Sequence, residues 1–259
     1  MTGYVRLSVH GHLATVVIDN PLKRNAMDKS MWVAMGDIFQ ELATADLRCV
    51  VIRGAGDEAF GSGADIDEFE SIRSGKEQAV EFARHGHRAM HAVRDCPVPT
   101  VAVITGACVG GGLELAAHCD LRIARTDSRF GVPIARLGAV LAYPELAGLI
   151  NLVGPNIALE MLLEGRLFNA EEAAAKGLVN RIVAPEKFEF EVERTVERIL
   201  SNAPLSARWH KQFINRLRHH PRPLSEDEMA QGYACYDTED YQAGFRAFLD
   251  KTPPVFKGK

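Results

Sequence analysis

The chain has 259 residues, 47% of them hydrophobic and 25% charged, with a formal charge of −4 at neutral pH. That length and composition supply a buried core in one large domain, or in a core with an appendage. The small negative charge gives no general pull toward nucleic acid or an anionic membrane, and no run approaches the roughly 20 uninterrupted apolar residues of a bilayer crossing. Apolar alternation over residues 4–9 and 13–19 predicts two strands around the turn "HGH", a hairpin rather than a signal-peptide layout. Asp28 is the predicted N-cap of a helix running to Leu42. "RCVVIRG" reads as a short buried strand, and "GAGDEAFGSGADI" after it as a loop. Residues 77–93 predict a helix closed by "DCPVPT", because proline resists helix continuation. "TVAVITG" and "DLRIA" read as further strands, residues 145–153, 157–163 and 170–176 as helices, and residues 178–183 as a strand. From Glu186 to about Asp250 the strand signals stop and helical patterns continue. Strands alternating with helices ahead of a helical tail define an α/β chain. Cys49, Cys96, Cys108, Cys119 and Cys235 form no CxxC pair, which predicts free thiols in a reducing compartment, the cytoplasm.

The stretch "ACVGGGLELAAHCD" sets Gly110, Gly111 and Gly112 against a helix-forming run, with Glu114 close behind. Each helical glycine costs about 1 kcal/mol relative to alanine, so three together mark a close approach to the backbone. A Walker A loop requires Lys and Ser/Thr where Leu113 stands, and a dinucleotide fingerprint requires a small residue where Leu115 stands. A weaker GxGxxA at Gly54, Gly56 and Ala59 leads into "FGSGADI" instead of a helix. Two readings remain open on this stretch alone. One is a helix start that presents unpartnered N–H groups to an oxyanion, with Glu114 on the same face as Gly111. The other is close helix packing with Glu114 as a structural cap or pair. The loop "AFGSGADIDEF" also follows a strand, and two such loops can offer two N–H donors to one carbonyl oxygen, each worth about 10²–10³ in rate.

"IDNPLKRNAMD", "AFGSGADIDEF", "ITGACVGGGLELAAHCDLRIA", "AAKGLVNRIV" and "AFLDKTPPVFKGK", in that order and across nearly the whole length, resemble the crotonase superfamily, also called the enoyl-CoA hydratase/isomerase family. The resemblance implies an α/β spiral of ββα units over residues 1–200 and a C-terminal helical trimerisation region over 201–259. It implies an acyl-CoA thioester substrate, with coenzyme A as part of that substrate and no separate cofactor or metal. It also implies a homotrimer or hexamer. The backbone N–H groups of Ala64 and Gly111 match the pair that polarises the thioester carbonyl, and Glu114 matches the catalytic carboxylate. Lys23, Arg24, Ala26, Asp65 and Ile66 match the path of coenzyme A. Phe248 and Lys251 match positions that reach it from the same or a neighbouring subunit.

The chain departs from the pattern in one place. Hydratases of the family carry a second glutamate in the segment after "DLRIA", and here "RFGVPIARLGAVLAYPEL" puts Ile134 at that position. Ile134 transfers no proton, which turns the expectation from hydration toward double-bond isomerisation, a lyase or hydrolase step, or a non-catalytic member that binds acyl-CoA or RNA. Glu145, eleven residues on and just after Pro144, is a candidate substitute for the missing second acid, but reads first as compensation of a helix dipole. Tyr143 reads as packing, and Ala142 stands where some members place an aspartate. His87 matches an active-site histidine of the superfamily's aromatic dehalogenases, against the simpler reading of an exposed helix residue. His87 and His91 share a helix face without a third metal ligand in view. Asp67 receives no role, and His118 and Cys119 are expected in the core. "RWHKQFINRLRHHPR" holds five Lys/Arg and no acid, and reads as a solvated or intersubunit face rather than an RNA site.

Overall fold

The opening alternation closes into the expected hairpin, with β1 (Tyr4–His10) antiparallel to β2 (Leu13–Asp19) and Tyr4 opposite Asp19. The computed structural model describes residues 3–69, 74–219 and 222–259. Beyond the hairpin the sheet continues in parallel through β3 (Cys49–Gly54), β5 (Thr100–Ile104), β7 (Leu121–Arg125) and β10 (Arg181–Val183). The central strands β3 and β5 carry apolar runs over residues 49–52 and 101–104 because both faces are covered. Val50 and Ile52 point into the larger core, with Phe39, Phe60 and Phe130. Cys49 and Val51 point to the opposite face, where α6 (Phe188–Ser201) lays down Phe188, Val192 and Val196. Each large apolar side chain fully removed from water contributes about 1.5–3 kcal/mol, so the two-sided sheet is the main support of the fold.

A second sheet joins β4 (Ala59–Gly61), β6 (Ala107–Val109), β8 (Arg129–Gly131) and β9 (Phe168–Asn169). The sequence does not announce it, since two or three residues are too few for a period-two pattern to register. The reading of strand, tight turn and helix around the triple glycine is corrected accordingly. After β5 the chain turns at Gly106 (φ +57°), forms β6, and only then enters α3 (Gly111–Ala117). A Cβ at Gly106 falls 1.9 Å from the Glu58 carbonyl oxygen, so this turn admits glycine alone.

Helix α1 (Lys29–Leu42) starts as expected, with the Asp28 carboxylate accepting from the Met31 N–H at 2.9 Å. Helix α2 spans Lys76–Asp95. The two helices expected at 145–153 and 157–163 are halves of one α4 (Tyr143–Glu164), broken by non-helical backbone at Gly154 (φ 76°, ψ 167°) ahead of Pro155. As expected, α4 holds no run of about 20 uninterrupted apolar residues, although by length and composition it is apolar enough to cross a membrane. Glycine, proline and asparagine scattered through it interrupt the apolar run and hide this from a residue-by-residue reading. The chain continues through α5 (Ala170–Ala175), α6, α7 (Pro204–His219), α8 (Glu226–Gln231) and α9 (Glu239–Asp250).

The basic segment on α7, expected as a solvated or intersubunit face, is not wholly solvated. Lys211 Nζ lies 2.7 Å from Asp120 and donates to the Val98 carbonyl, and Arg208 donates to the Leu47 carbonyl. Arg218 donates to the Asn151 carbonyl at 2.7 Å, while Arg216 and Arg222 both engage Glu228. These cations fasten α7 to the sheet and to α8. His220 and Pro221 of that segment lie outside the described residues. All five cysteines are free, and burial pushes the Cys49 and Cys119 thiols up to about 12, which leaves them protonated and inert.

Candidate active site

The glycines are required by contact between the two short loops. A Cβ at Gly112 falls 2.2 Å from the Gly61 carbonyl oxygen, and one at Gly111 falls 3.0 Å from Trp32 Cζ2. Gly63 (φ +102°) lies against the start of α3, where an added Cβ meets the Gly111 nitrogen at 3.1 Å. Side chains larger than hydrogen would separate the end of β4 from the first turn of α3. Packing and chemistry are therefore not competing explanations of this motif, because the close approach brings the two backbones together.

The orientation of the amides follows from the pairing around them. The Met27 N–H donates to the Gly63 carbonyl at 2.8 Å, and the Asp65 N–H donates to the Met27 carbonyl at 3.0 Å. In such a bridge the residue between, Ala64, turns its own N–H away from Met27. On the other loop the Gly110 N–H donates to the Gly131 carbonyl and the Glu114 N–H to the Gly110 carbonyl, both at 2.9 Å. Gly111 is the first residue of α3, and a first-turn amide has no carbonyl one turn behind it within the helix. Ala64, Gly111 and half-buried Glu114 line one cavity of about 310 Å³. Its other walls are largely apolar, with Trp32 from α1, Phe82 and Met90 from α2, and Ile134 and Leu137 from a 3-10 turn at Pro133–Leu137.

The segment "NPLKRNA" frames this cavity. Arg24 and Asn25 adopt left-handed backbone (φ 51° and 57°), which turns the Asn25 amide onto the Ala55 and Ala59 carbonyls at 3.0 and 2.7 Å. Asn20 donates its side-chain amide to the Ala26 carbonyl at 2.8 Å, and Ala26 is buried. Lys23 Nζ lies 2.6 Å from Asp65 and 2.8 Å from Asp67, hydrogen bonds that raise its pKa above the usual lysine range. Asp67 thus has a partner where the sequence assigned it no role. Ile66 lines the cavity while remaining 61% exposed. Lys23, Arg24, Ala26 and Asp65 stand beside the cavity without lining it. Phe248 and Lys251, on and just past α9, do not line it either, and Phe248 is 83% exposed.

Three readings around the acyl end of the cavity are corrected. His87 is not an exposed helix histidine, since its Nε2 stands 2.7 Å from Glu145 Oε1 with the two side chains only 20% and 14% exposed. Glu145 does occupy the first turn of α4, as expected for a residue opposing the helix dipole, but it also faces the cavity. Tyr143 is 89% exposed and packs against nothing that hides it. Ile134 reaches the cavity as an apolar wall. His118 and Cys119 are buried as expected, and the His118 Nδ1–H donates to the Glu114 carbonyl at 2.8 Å. His91 packs 6.5 Å from the His118 ring, and its pKa is lowered first by burial and then by Arg94. The sequence reading missed Trp32, Phe82 and Met90 as cavity residues. The spacing of Phe82, Gly86 and Met90 at every fourth position was the signal available for α2.

Known proteins match the chain over nearly its whole length. Residues 9–259 match the family model described as Enoyl-CoA hydratase/isomerase. The chain is 33% identical over 250 residues to the crotonyl-CoA hydratase of Syntrophomonas wolfei, covering 95% of each chain. It is 32% identical over 257 residues to the (E)-benzylidenesuccinyl-CoA hydratase of Thauera aromatica, covering 98% of this chain and 99% of the relative. Among solved structures, an enoyl-CoA hydratase/carnithine racemase from Magnetospirillum magneticum superposes with a TM-score of 0.96 at 45% identity, over 98% of this chain and 96% of that one. With the family model matched over almost its whole length and the fold shared with solved members, the chain belongs to the enoyl-CoA hydratase/isomerase family.

Proposed function

We propose that the protein acts on an acyl-CoA thioester, forming a thioester enolate whose oxygen accepts hydrogen bonds from the Ala64 and Gly111 N–H groups, with Glu114 moving the proton at the adjoining carbon. The observation that carries this reading is the meeting of Ala64, Gly111 and Glu114 on one largely apolar cavity, the two amides coming from loops that only glycine lets approach. As the enolate forms, negative charge grows on the thioester oxygen, and fixed backbone dipoles stabilise it without reorganising. Glu114 sits one helical turn past Gly111, so a group bound at that amide presents its neighbouring carbon to the carboxylate. Lys23, Arg24, Ala26, Asp65 and Ile66 would border the coenzyme A moiety. The two carboxylates on Lys23 make it a brace of that wall more than a free phosphate ligand. Phe248 and Lys251 would reach coenzyme A from a neighbouring subunit of a homotrimer or hexamer, consistent with the exposed apolar Ile214, Leu217, Tyr233 and Phe248 of the C-terminal helices.

Single-carboxylate double-bond isomerisation is a second reading, favoured by Ile134 at the cavity wall. In it Glu114 removes a proton beside the carbonyl of a 3-enoyl thioester and returns one to the distal carbon. The test is Glu114→Gln assayed on 2-enoyl and 3-enoyl thioesters. Turnover is expected to fall about 10²–10⁴-fold with thioester binding retained. Unchanged turnover with intact binding removes Glu114 from the mechanism.

A further inference from the structure

Glu145 reaches the cavity because α4 approaches α3 closely, and that approach depends on Gly148 one turn later. A Cβ at Gly148 falls 2.5 Å from His118 Cε1, and His118 is tied to the Glu114 carbonyl. The first turn of α4 is thereby set against the wall that Glu114 also lines. From the other side α2 supplies His87, whose Nε2 stands 2.7 Å from Glu145 Oε1. His87 does not line the cavity and instead borders a separate depression with Arg84 and Arg88 on the outer face of α2. A carboxylate that merely opposes a helix dipole does so from water. Drawing both members of a pair out of water costs several kcal/mol before their attraction is counted, so a role at a helix start does not explain this placement. A carboxylate backed by an imidazole at ion-pair distance and fronted by an apolar cavity is the arrangement of an oriented acid–base group.

We propose that Glu145 is a second catalytic carboxylate, with His87 as its positioning residue, and that it equips this cavity to add water to a 2-enoyl thioester. The proposal rests on the acyl-CoA reading above. Glu114 shares its helical turn with the Gly111 donor and serves C2, beside the carbonyl. Glu145 comes from a different wall and serves C3. The water oxygen bonds to C3 while Glu145 takes the water proton. The C2=C3 pair moves to C1–C2 and the carbonyl pair moves onto oxygen, giving the enolate held by Ala64 and Gly111. That pair then returns as C2 takes a proton from the Glu114 carboxyl. Water has been added across the double bond. Exchange with solvent re-protonates Glu114 and deprotonates Glu145, and loss of water from a 3-hydroxyacyl thioester is the reverse.

The experiment follows two reactions of the full-length protein, hydration of crotonyl-CoA and solvent exchange of the C2 protons of butyryl-CoA, which has no double bond. Glu145→Gln is isosteric and is expected to lower kcat for hydration at least about 10²-fold while exchange stays within about threefold of wild type. His87→Ala is expected to lower kcat for hydration about tenfold with KM unchanged, and His87→Gln, which keeps an N–H donor, to recover most of it. Hydration at the wild-type rate in Glu145→Gln overturns the proposal. So does a wild-type protein that exchanges C2 protons but hydrates no 2-enoyl thioester. Absence of both reactions in the wild type instead defeats the acyl-CoA reading itself.

Discussion

Two helices begin at the same cavity and each carries a glutamate in its first turn, Glu114 on α3 and Glu145 on α4. Around the first, the sequence is unmistakable, since three glycines admit Gly61 and Gly63 of the neighbouring loop to within contact of the α3 backbone. Around the second, "AYPEL" looks like any helix start with proline in its first turn. What separates Glu145 from an ordinary dipole-compensating residue is His87, which lies 58 positions earlier and meets it only through the packing of α2 against α4. A third helix start supplies the contrast. Glu228 of α8 also sits in a first turn, but there it completes a capping box with Ser225 and pairs with Arg216 and Arg222, a structural role in full. An acid at a helix start has no fixed meaning, and its partners decide what it does.

The most damaging way to break the comparison is Gly112→Ala. A Cβ 2.2 Å from the Gly61 carbonyl oxygen is opposed by backbone that has no rotamer to yield, so a loss of more than about 4 kcal/mol is expected, read as collapse of the melting transition or of soluble yield. Normal melting would show that the two loops tolerate separation and would dissolve the link between packing and amide placement. Next comes the pair Glu114→Gln and Glu145→Gln in parallel assays. The first is expected to abolish both C2 exchange and hydration by about 10²–10⁴-fold, the second hydration alone. Loss of exchange in both would mean that the two carboxylates act as one unit. A smaller gain is expected from Ile134→Glu placed on the Glu145→Gln background, where a carboxylate returned to the same cavity restores hydration about tenfold. No recovery would mean that the wall at residue 134 does not face the reacting carbon.

The smallest effect concerns the control helix. Arg216, the Ser225 N–H and Arg222 hold the Glu228 carboxyl down to about 2. A folded-state pKa below the unfolded value of about 4.3 gives stability that is present above that unfolded value and lost as pH falls toward 2. Wild type is therefore expected to melt above Glu228→Gln near neutral pH, and the two curves to converge between about pH 4 and 2. A constant gap across that range would remove the carboxylate charge as the cause.

The glycine-rich loops, Glu114 and the resemblance to the family were legible because short runs of letters carry them. Glycines at 110–112 and 63, the capping Asp28 and the asparagines of "NPLKRNA" announce close backbone contact in the letters, although Asn25 reaches Ala59 34 positions away and Gly112 meets Gly61 of another loop. The four-stranded second sheet was not legible, because its strands are two or three residues long and pair with one another across long stretches of chain. The intramolecular partners of the α7 cations were hidden for a related reason. A basic helix looks solvated until the carbonyls of Leu47, Val98 and Asn151 and the carboxylates of Asp120 and Glu228 are brought to it.

By itself, then, the sequence determined where backbone must touch backbone, because glycine and turn chemistry act over a few residues and leave a mark in the letters. Only the tertiary structure decided which titratable side chains meet. A close pair such as His87 and Glu145 depends on the angle and depth at which two helices pack, and that is a property of the whole core, not of either segment.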